Sequence, residues 1–143
     1  MFFSTRGRYA LRIMVELASY EGAYYVPLKV IADRQEISEK YMESIIASLV
    51  RAQLVTGVRG KGGGYRLAVE PEECSAGDIL RAAEGSLAPI SCLSTKPNTC
   101  PRAENCKTLP LWEKLDSMIT EFLDSVTLAQ LIEDDGGNGR CLG

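Results

Sequence analysis

The sequence predicts a mainly α-helical fold with one small β-hairpin, and two observations support this prediction. Apolar residues recur with helical spacing through most of the chain, whereas only residues 54–58 and 65–69 alternate in the way that strands do. The 143 residues are 45% hydrophobic and 24% charged, which is ordinary for a globular domain, and the length is sufficient for one hydrophobic core.

Three helices are predicted in the first part of the chain. The first spans residues 5–20 with Ser4 as its N-cap, Pro27 begins a second short helix, and Ser38 caps a third over residues 39–51. The inner face of the third helix is apolar. Its outer face is small or polar and consists of Lys40, Tyr41, Glu43, Ser44, Ala47 and Ser48. Such a pair of short helices indicates a helix-turn-helix, although helix pairs are also common in small α/β domains.

A glycine-rich segment, residues 59–64, separates the two predicted strands. It carries Arg59 and Lys61, and its glycines allow the backbone to approach a phosphate or to enter a narrow groove. A hairpin placed directly after the third helix is a wing. Residues 1–70 are therefore predicted to form a winged helix-turn-helix that binds double-stranded DNA.

The distribution of charge favours DNA binding by the first half of the chain. Residues 1–69 hold ten Lys or Arg against six Asp or Glu, whereas residues 70–143 hold six against thirteen. Ordinary variation in surface charge is the alternative. Glu43 can accept a hydrogen bond from cytosine, or it can be a solvated surface glutamate. The predicted DNA-contacting residues are Lys29, Ser38, Lys40, Tyr41, Glu43, Ser44, Arg59, Gly60 and Lys61.

A loop over residues 88–107 contains three cysteines among prolines and polar residues. They are Cys92, Cys100 and Cys106. Their spacing lacks the close cysteine pairs that are typical of structural zinc. Clustered thiols in a reducing compartment favour iron–sulfur ligation, with unliganded or redox-active thiols as the alternative. Cys74 and Cys141 are predicted to be incidental.

The second predicted unit, residues 71–133, begins with a linking helix from Ser75 to about Glu84 and ends with a strongly apolar helix after the cysteine loop. The apolar stripe over residues 109–123 includes Leu111, Trp112, Leu115, Met118, Ile119 and Phe122. Because the winged module is already complete, we expect this helix to form a homodimer rather than to pack only within its own subunit. A two-fold dimer would present two copies of the third helix, one from each subunit, to the two halves of a palindromic operator.

The remaining features exclude several classes of function. A final short helix is predicted over residues 128–133, and residues 134–143 are predicted to be a flexible tail. No apolar run approaches the roughly 18 residues that span a bilayer, and charge appears too early for a secretory signal. We therefore predict a cytoplasmic protein without membrane partners. The chain has no histidine and no clustered acid–base residues, so no enzymatic activity is predicted.

Five segments resemble those of a known family. They are S-T-R-G-R-Y-A-L, Q-E-I-S-E-K-Y-M-E-S-I-I-A-S-L, G-V-R-G-K-G-G-G-Y-R-L-A, S-A-G-D-I-L-R-A-A-E-G and C-K-T-L-P-L-W. Through them, about residues 1–133 resemble the Rrf family of bacterial winged-helix transcriptional regulators, and most of all the iron–sulfur cluster regulators of the IscR type. The resemblance implies a homodimer with a cluster, most typically 2Fe–2S, that is ligated by Cys92, Cys100 and Cys106. It also implies that the cluster changes which promoters are bound.

The same resemblance implies roles for particular DNA-binding residues. Ser38, Lys40 and Glu43 match positions that meet bases, and Arg59 matches an arginine that enters the minor groove. One departure concerns the cluster. Regulators of the IscR type usually carry a histidine ligand three residues after the third cysteine, where this chain has Leu109.

The missing histidine leaves several possibilities open. The fourth ligand can be another side chain, a residue of the partner subunit or a small exogenous molecule. The cluster is then expected to be more labile than one that is ligated entirely by the protein, or to have a shifted reduction potential. The related regulators that sense nitric oxide or control cysteine metabolism remain alternatives. A small iron–sulfur electron carrier or scaffold is the competing class, but such a protein has no evident use for a cationic wing.

Overall fold

A computed structural model describes residues 3–20, 24–94, 98 and 100–133. Its elements are α1 (Thr5–Ala18), α2 (Leu28–Gln35), α3 (Glu39–Arg51), β1 (Val55–Val58), β2 (Gly64–Leu67), α4 (Ala76–Glu84), α5 (Leu109–Ser125) and α6 (Leu128–Glu133). Single 3-10 turns occupy Pro71–Glu73, Ser91–Leu93 and Ala103–Asn105. The predicted mainly α-helical fold with a small β-hairpin is confirmed. The predicted tail and Cys141 lie outside the described residues.

Serine side chains begin three of the helices. The hydroxyls of Ser4, Ser38 and Ser75 accept hydrogen bonds from backbone amides three residues further on, at 3.2, 3.2 and 3.0 Å. Helix α3 has its predicted bounds, whereas α1 ends two residues before its predicted limit. Helix α2 begins one residue after Pro27, because the ψ of 143° at this proline is extended. Glu36, with φ 56°, then turns the chain toward α3.

The hairpin is anchored to the segment that precedes α2. Gly64 already pairs with Val58, so the second strand begins one residue earlier than predicted. Tyr65 exchanges two backbone hydrogen bonds of 2.8 Å with Val26. A side chain at Gly64, where φ is 146°, would overlap the backbone of the anchoring segment, and glycine is therefore required there. This anchor holds the base of the wing and leaves its tip projecting.

One hydrophobic core joins both halves of the chain. Its fully buried side chains include Ile13, Met14, Ile31, Met42, Ile45, Ile46, Leu49, Ile79 and Leu128. The segment before α6 returns to the start of α4, where Ser75 and Thr127 form an antiparallel bridge. The Leu128 amide donates to the Cys74 carbonyl at 2.7 Å. Residues from both sides of position 70 share this core. The predicted division into a DNA-binding unit, residues 1–70, and a second unit, residues 71–133, therefore stays a prediction about function and does not separate two cores.

Helix α5 lies on the surface of this core, and none of its residues is fully buried. It packs against α4, where Arg81 forms an ion pair with Asp124, and against the turn Ser91–Leu93. The helix continues to Ser125, two residues beyond its predicted end. None of the described helices is both long enough and apolar enough to cross a membrane.

Candidate nucleic-acid interface and cysteine segment

The outer face of α3 is accessible. Its exposed residues from the predicted set are Ser38, Lys40, Glu43 and Ser44. Tyr41 is half-buried because its ring packs edge-on against Tyr9, with the ring centroids 6.0 Å apart. Polar side chains thus project from the first turns of α3, the end of a recognition helix that contacts base edges in helix-turn-helix proteins.

The wing lies beside this face, and a groove of about 670 Å³ runs between them. Glu43 of α3 and Arg59 of the hairpin both line this groove. Gly60 and Lys61 are exposed at the hairpin tip, and Lys29 is exposed in the first turn of α2. The fold therefore brings the outer face of α3 and the cations of the wing to one surface.

Two further cations at this surface, Arg6 and Arg51, are absent from the predicted set of DNA-contacting residues. Arg6 of α1 donates hydrogen bonds to the hydroxyl and carbonyl oxygens of Ser44, at 2.8 and 2.9 Å, and to the hydroxyl of Ser48. Arg51 donates to the same Ser48 hydroxyl at 3.2 Å. Arg6 and Ser44 are 38 positions apart, and no local pattern in the sequence indicates that they meet.

The three predicted cluster ligands are half-buried free thiols. Cys92 lies in a 3-10 turn, and Cys106 lies just before α5. The Cys100 amide donates to Oδ1 of Asn98 at 2.9 Å, while the buried Nδ2 of Asn98 has no hydrogen-bond partner among the described residues. Within the same described ranges, no three His, Cys, Asp or Glu side chains are close enough to hold a metal ion. The donor chemistry of three thiols fits a soft metal centre, whereas their positions in this structure do not bring them together around one ion.

The thiols of Cys106 and Cys74 differ in acidity. The Thr108 hydroxyl, 3.3 Å from Sγ of Cys106, lowers the pKa of this thiol below its usual 9.0, which favours the thiolate that binds metals. Burial, and secondarily the charge of Asp78, raises the pKa of the Cys74 thiol to about 11. Cys74 is therefore an unreactive side chain of the core.

The predicted dimerisation residues divide between two faces of α5. The exposed members are Leu111, Met118 and Phe122, with 62, 57 and 62% of their surface accessible. The half-buried members are Trp112, Leu115 and Ile119. The stripe that the sequence predicts as one surface thus leaves an apolar ridge, formed by the three exposed residues, that no described residue covers.

Comparisons with known proteins agree with this arrangement. The Rrf2 family, described as an iron-dependent transcriptional regulator, matches residues 3–134. The chain is 37% identical over 135 residues to the HTH-type transcriptional regulator IscR of Aliivibrio salmonicida, a match that covers 94% of this chain and 79% of that protein. It is similar to the structure of T. potens IscR, with 40% identity, a TM-score of 0.74 and coverage of 100% of this chain and 94% of that chain. The structure of CymR, the global cysteine regulator of B. subtilis, has 38% identity, a TM-score of 0.74 and coverage of 93% and 97%.

Proposed function

Because the chain belongs to the Rrf2 family of transcriptional regulators, we propose that it binds palindromic DNA as a homodimer. We also propose that an iron–sulfur cluster controls this binding and that it is held by the cysteine segment, the loop predicted over residues 88–107. Members of this family are regulators of transcription and not enzymes. The DNA-binding part of the proposal rests on one observation, the groove that Glu43 and Arg59 share between α3 and the wing.

The side chains of this surface suit both grooves of DNA. Small and polar residues let α3 sink into the major groove, where Lys40 can donate to guanine and Glu43 can accept from the cytosine amino group. Arg59, on the glycine-rich tip, suits a narrow minor groove, whose negative potential attracts arginine. The other contacts, to bases or phosphates, come from Lys29, Ser38, Tyr41, Ser44, Gly60 and Lys61.

The apolar ridge of α5 is the contact that we propose for the homodimer. Leu111, Met118 and Phe122 lie on one face at helical spacing, and each exposes more than half of its surface. A second copy of the same ridge would remove these side chains from water by a two-fold contact. The two α3 helices would then face two half-sites of a palindrome.

The cysteine segment supplies the ligands that we propose for the cluster. Cys92, Cys100 and Cys106 provide three thiolates, and a 2Fe–2S centre bound there would supply a state that responds to iron supply, oxidants or nitric oxide. The lowered pKa of Cys106 and the unpaired Nδ2 of Asn98, a donor available to a sulfur atom, support this assignment. With Leu109 at the usual histidine position, the fourth ligand comes from elsewhere.

The position of this segment offers a route from the cluster to the DNA. Drawing the three thiols together orders residues 88–107, which lead directly into the first turn of α5. Helix α5 is joined to α4 through Arg81 and Asp124, and α4 packs against both α1 and α3. A shift of α5 therefore changes how the two α3 helices of the dimer are placed relative to each other.

The DNA-binding proposal is tested with the full-length protein and a duplex that it selects from a random-sequence library. We expect Arg59→Ala to weaken binding of the selected duplex by roughly tenfold, since one arginine contact contributes about 1–3 kcal/mol. Arg34→Ala is the matched control, because this arginine already pairs with Glu16 at 3.3 Å. An affinity that is equal for the wild type and Arg59→Ala would rule out this role of the wing.

The cluster proposal is tested by anaerobic purification followed by iron and sulfide counting and visible absorption. We expect a coloured protein whose iron is lost on Cys92→Ala, Cys100→Ala or Cys106→Ala and is retained on Cys74→Ala. Operator affinity is then compared with the cluster present and removed. Equal affinity and equal site preference in both forms would contradict the proposed control.

A second candidate is a regulator of cysteine metabolism that works without a cluster. Two observations favour this alternative. The structures of CymR and of T. potens IscR have the same TM-score to this chain, 0.74, and the chain contains no histidine. A colourless protein that lacks iron and sulfide after anaerobic reconstitution, yet binds its selected duplex, would remove the cluster proposal and favour this second candidate.

A further inference from the structure

Two arginines meet at one serine hydroxyl beside the outer face of α3. Arg6 reaches Ser48 from α1 and also donates to both oxygens of Ser44. Arg51 reaches the same Ser48 hydroxyl from the last turn of α3, at 3.2 Å. Ser48 is only 5% exposed, and its hydroxyl donates to the Ser44 carbonyl at 3.4 Å. These contacts hold the two guanidinium groups, the Arg6–Arg51 pair, in a defined arrangement.

The Arg6–Arg51 pair carries two positive charges, and no carboxylate oxygen of the described residues lies within 4.0 Å of either guanidinium group. Ion pairs within 4.0 Å hold Arg34 to Glu16 and Arg81 to Asp78 and Asp124, whereas neither Arg6 nor Arg51 has such a partner among the described residues. A guanidinium has five N–H donors, so Arg6 retains about two of them and Arg51 more. Two guanidinium groups with unused donors and no counter-charge suit an anion that has several acceptor oxygens.

The pair lies at the border of the surface proposed for DNA. Ser44, Ser48 and Arg51 follow one another at i, i+4 and i+7 and therefore form one edge of α3. Arg51 also lines the groove that Glu43 and Arg59 share. An anion held by the pair would thus lie next to the bases that α3 contacts. On duplex DNA, an anion in that position is a backbone phosphate.

We propose that Arg6 and Arg51 together bind one phosphate of the DNA backbone and so fix the depth and register of α3 in the major groove. This inference rests on the proposed function. Contact with bases is disfavoured for Arg6, because its guanidinium is held back by Ser44 and Ser48. The pair therefore contributes affinity that is independent of sequence, whereas Lys40 and Glu43 contribute the preference for particular bases.

The competing explanation is purely structural. The hydrogen bonds of Arg6 join the start of α1 to α3, and their loss could lower stability without any contact to DNA. The two explanations differ in their dependence on salt. A phosphate contact releases counterions, so its removal reduces the slope of log affinity against log salt concentration by about one unit. A purely structural contact leaves this slope unchanged.

The experiment uses the full-length protein, the duplex selected by the wild type and a scrambled duplex of equal length and composition. Affinity is measured over a series of salt concentrations for Arg6→Gln, Arg51→Gln and the control Arg34→Gln. We expect each of the first two variants to weaken binding to both duplexes by roughly the same factor, about tenfold, with a smaller salt slope. The ratio of selected to scrambled affinity should remain that of the wild type.

Conservative variants keep the test decisive if Arg6→Gln folds poorly. Arg6→Lys keeps the charge but loses the planar fork, so it should retain the salt slope of the wild type while binding more weakly than the wild type. Ser48→Ala keeps both charges and removes the shared acceptor, and the same result is expected. Thermal unfolding of each variant shows whether a loss of affinity reflects a loss of structure.

Three outcomes would overturn the inference. Unchanged salt slopes for both Arg6→Gln and Arg51→Gln would show that the pair has only a structural role. A changed preference between the two duplexes would show that the pair contacts bases. In either case a loss of binding on Arg59→Ala would leave the proposed function standing. A wild type with equal affinity for the two duplexes would overturn both proposals.

Discussion

The surroundings of a single side chain decide what each described cysteine can do. The Cys106 thiol is accessible and has a lowered pKa because the Thr108 hydroxyl stabilises its thiolate. The Cys74 thiol is 1% exposed and has a pKa raised to about 11, chiefly by burial. Metal binding requires the thiolate, so the Cys106 thiol is suited to bind a metal and the Cys74 thiol is not.

The raised pKa of Cys74 predicts a loss of stability at high pH. The thiol ionises near pH 9.0 in the unfolded chain and near pH 11 in the folded one. The folded state thus gains stability from the neutral thiol that is fully present below pH 9.0 and is lost as pH rises toward 11. We expect the urea midpoint of the wild type to fall more between about pH 8 and about pH 10.5 than that of Cys74→Ala. Equal falls in the two proteins would contradict this origin of the pH dependence.

Some individual residues were predictable from local sequence and others were not. Ser4, Ser38 and Ser75 precede apolar helical patterns, and a serine hydroxyl needs only the next turn of its own helix in order to cap it. The role of Arg6 depends on residues far along the chain that come near only when α1 packs on α3. The left-handed conformation of Glu36 gave no signal either, because glycine is the usual residue for such a turn.

At the scale of the elements, the start of α1 is joined to the end of α4. Glu84 accepts hydrogen bonds from the amide and the hydroxyl of Ser4, at 2.9 and 2.6 Å, so its carboxylate lies at the positive end of the α1 dipole. Gly7 provides the space, since a Cβ at that position would overlap the Glu84 carboxylate. A glycine inside a helix was the only sequence signal of this close approach.

The contact between Gly7 and Glu84 predicts a change of sign in a double-mutant cycle. In the wild type, Gly7→Ala must displace the Glu84 carboxylate and should lower the free energy of unfolding by about 1 kcal/mol. In a Glu84→Ala background, the same substitution should raise it by roughly 0.5–1 kcal/mol, because alanine is the better helix former. Urea unfolding at one fixed protein concentration measures both effects.

A matched background separates this contact from a general effect of removing charge. Glu73 is exposed and accepts no side-chain hydrogen bond in the part of the chain that the structure describes, so Gly7→Ala should remain destabilising in a Glu73→Ala background. Stabilisation by Gly7→Ala in all three backgrounds would show that Glu84 moves away without cost.

At the scale of the whole molecule, the exposed ridge of α5 predicts the oligomeric state. Met118→Glu would place an unpaired charge in the proposed dimer contact, which costs on the order of 3 kcal/mol and weakens association at least about a hundredfold. We expect a monomer by size-exclusion chromatography with light scattering. The neighbouring Ser117→Glu adds the same charge to an exposed position away from the ridge and should leave the dimer intact. The proposed contact would be refuted if the Met118→Glu and Ser117→Glu variants were both monomers or both dimers.

The candidate site was only partly predictable, because some of its parts are made of residues close in sequence and others depend on contacts between residues far apart in sequence. The three cysteines lie within one short stretch of sequence, and the wing cations lie within another. In each stretch the residue types alone indicate the chemistry, which is soft-metal binding for the cysteines and phosphate binding for the cations. The groove between Glu43 and Arg59 depends on the anchoring of Tyr65 to Val26, which is a tertiary contact. The division of the α5 stripe into two faces likewise depends on where α4 lies, and periodicity cannot supply that.

The bridge between Ser75 and Thr127 gives α5 two unequal ends. Its last turn is fastened to the core by this bridge and by the buried Leu128, whereas its first turn continues directly into the cysteine segment. We therefore expect a rearrangement of that segment to swing the helix about a pivot near residue 126 rather than to slide it along its axis. The 17 residues of α5 span about 25 Å, so a swing of roughly 10° displaces the first turn by about 4 Å and leaves the last turn almost stationary. Leu111 would therefore move much farther than Phe122, so in the proposed homodimer the contact at Leu111 would change most and the contact at Phe122 least.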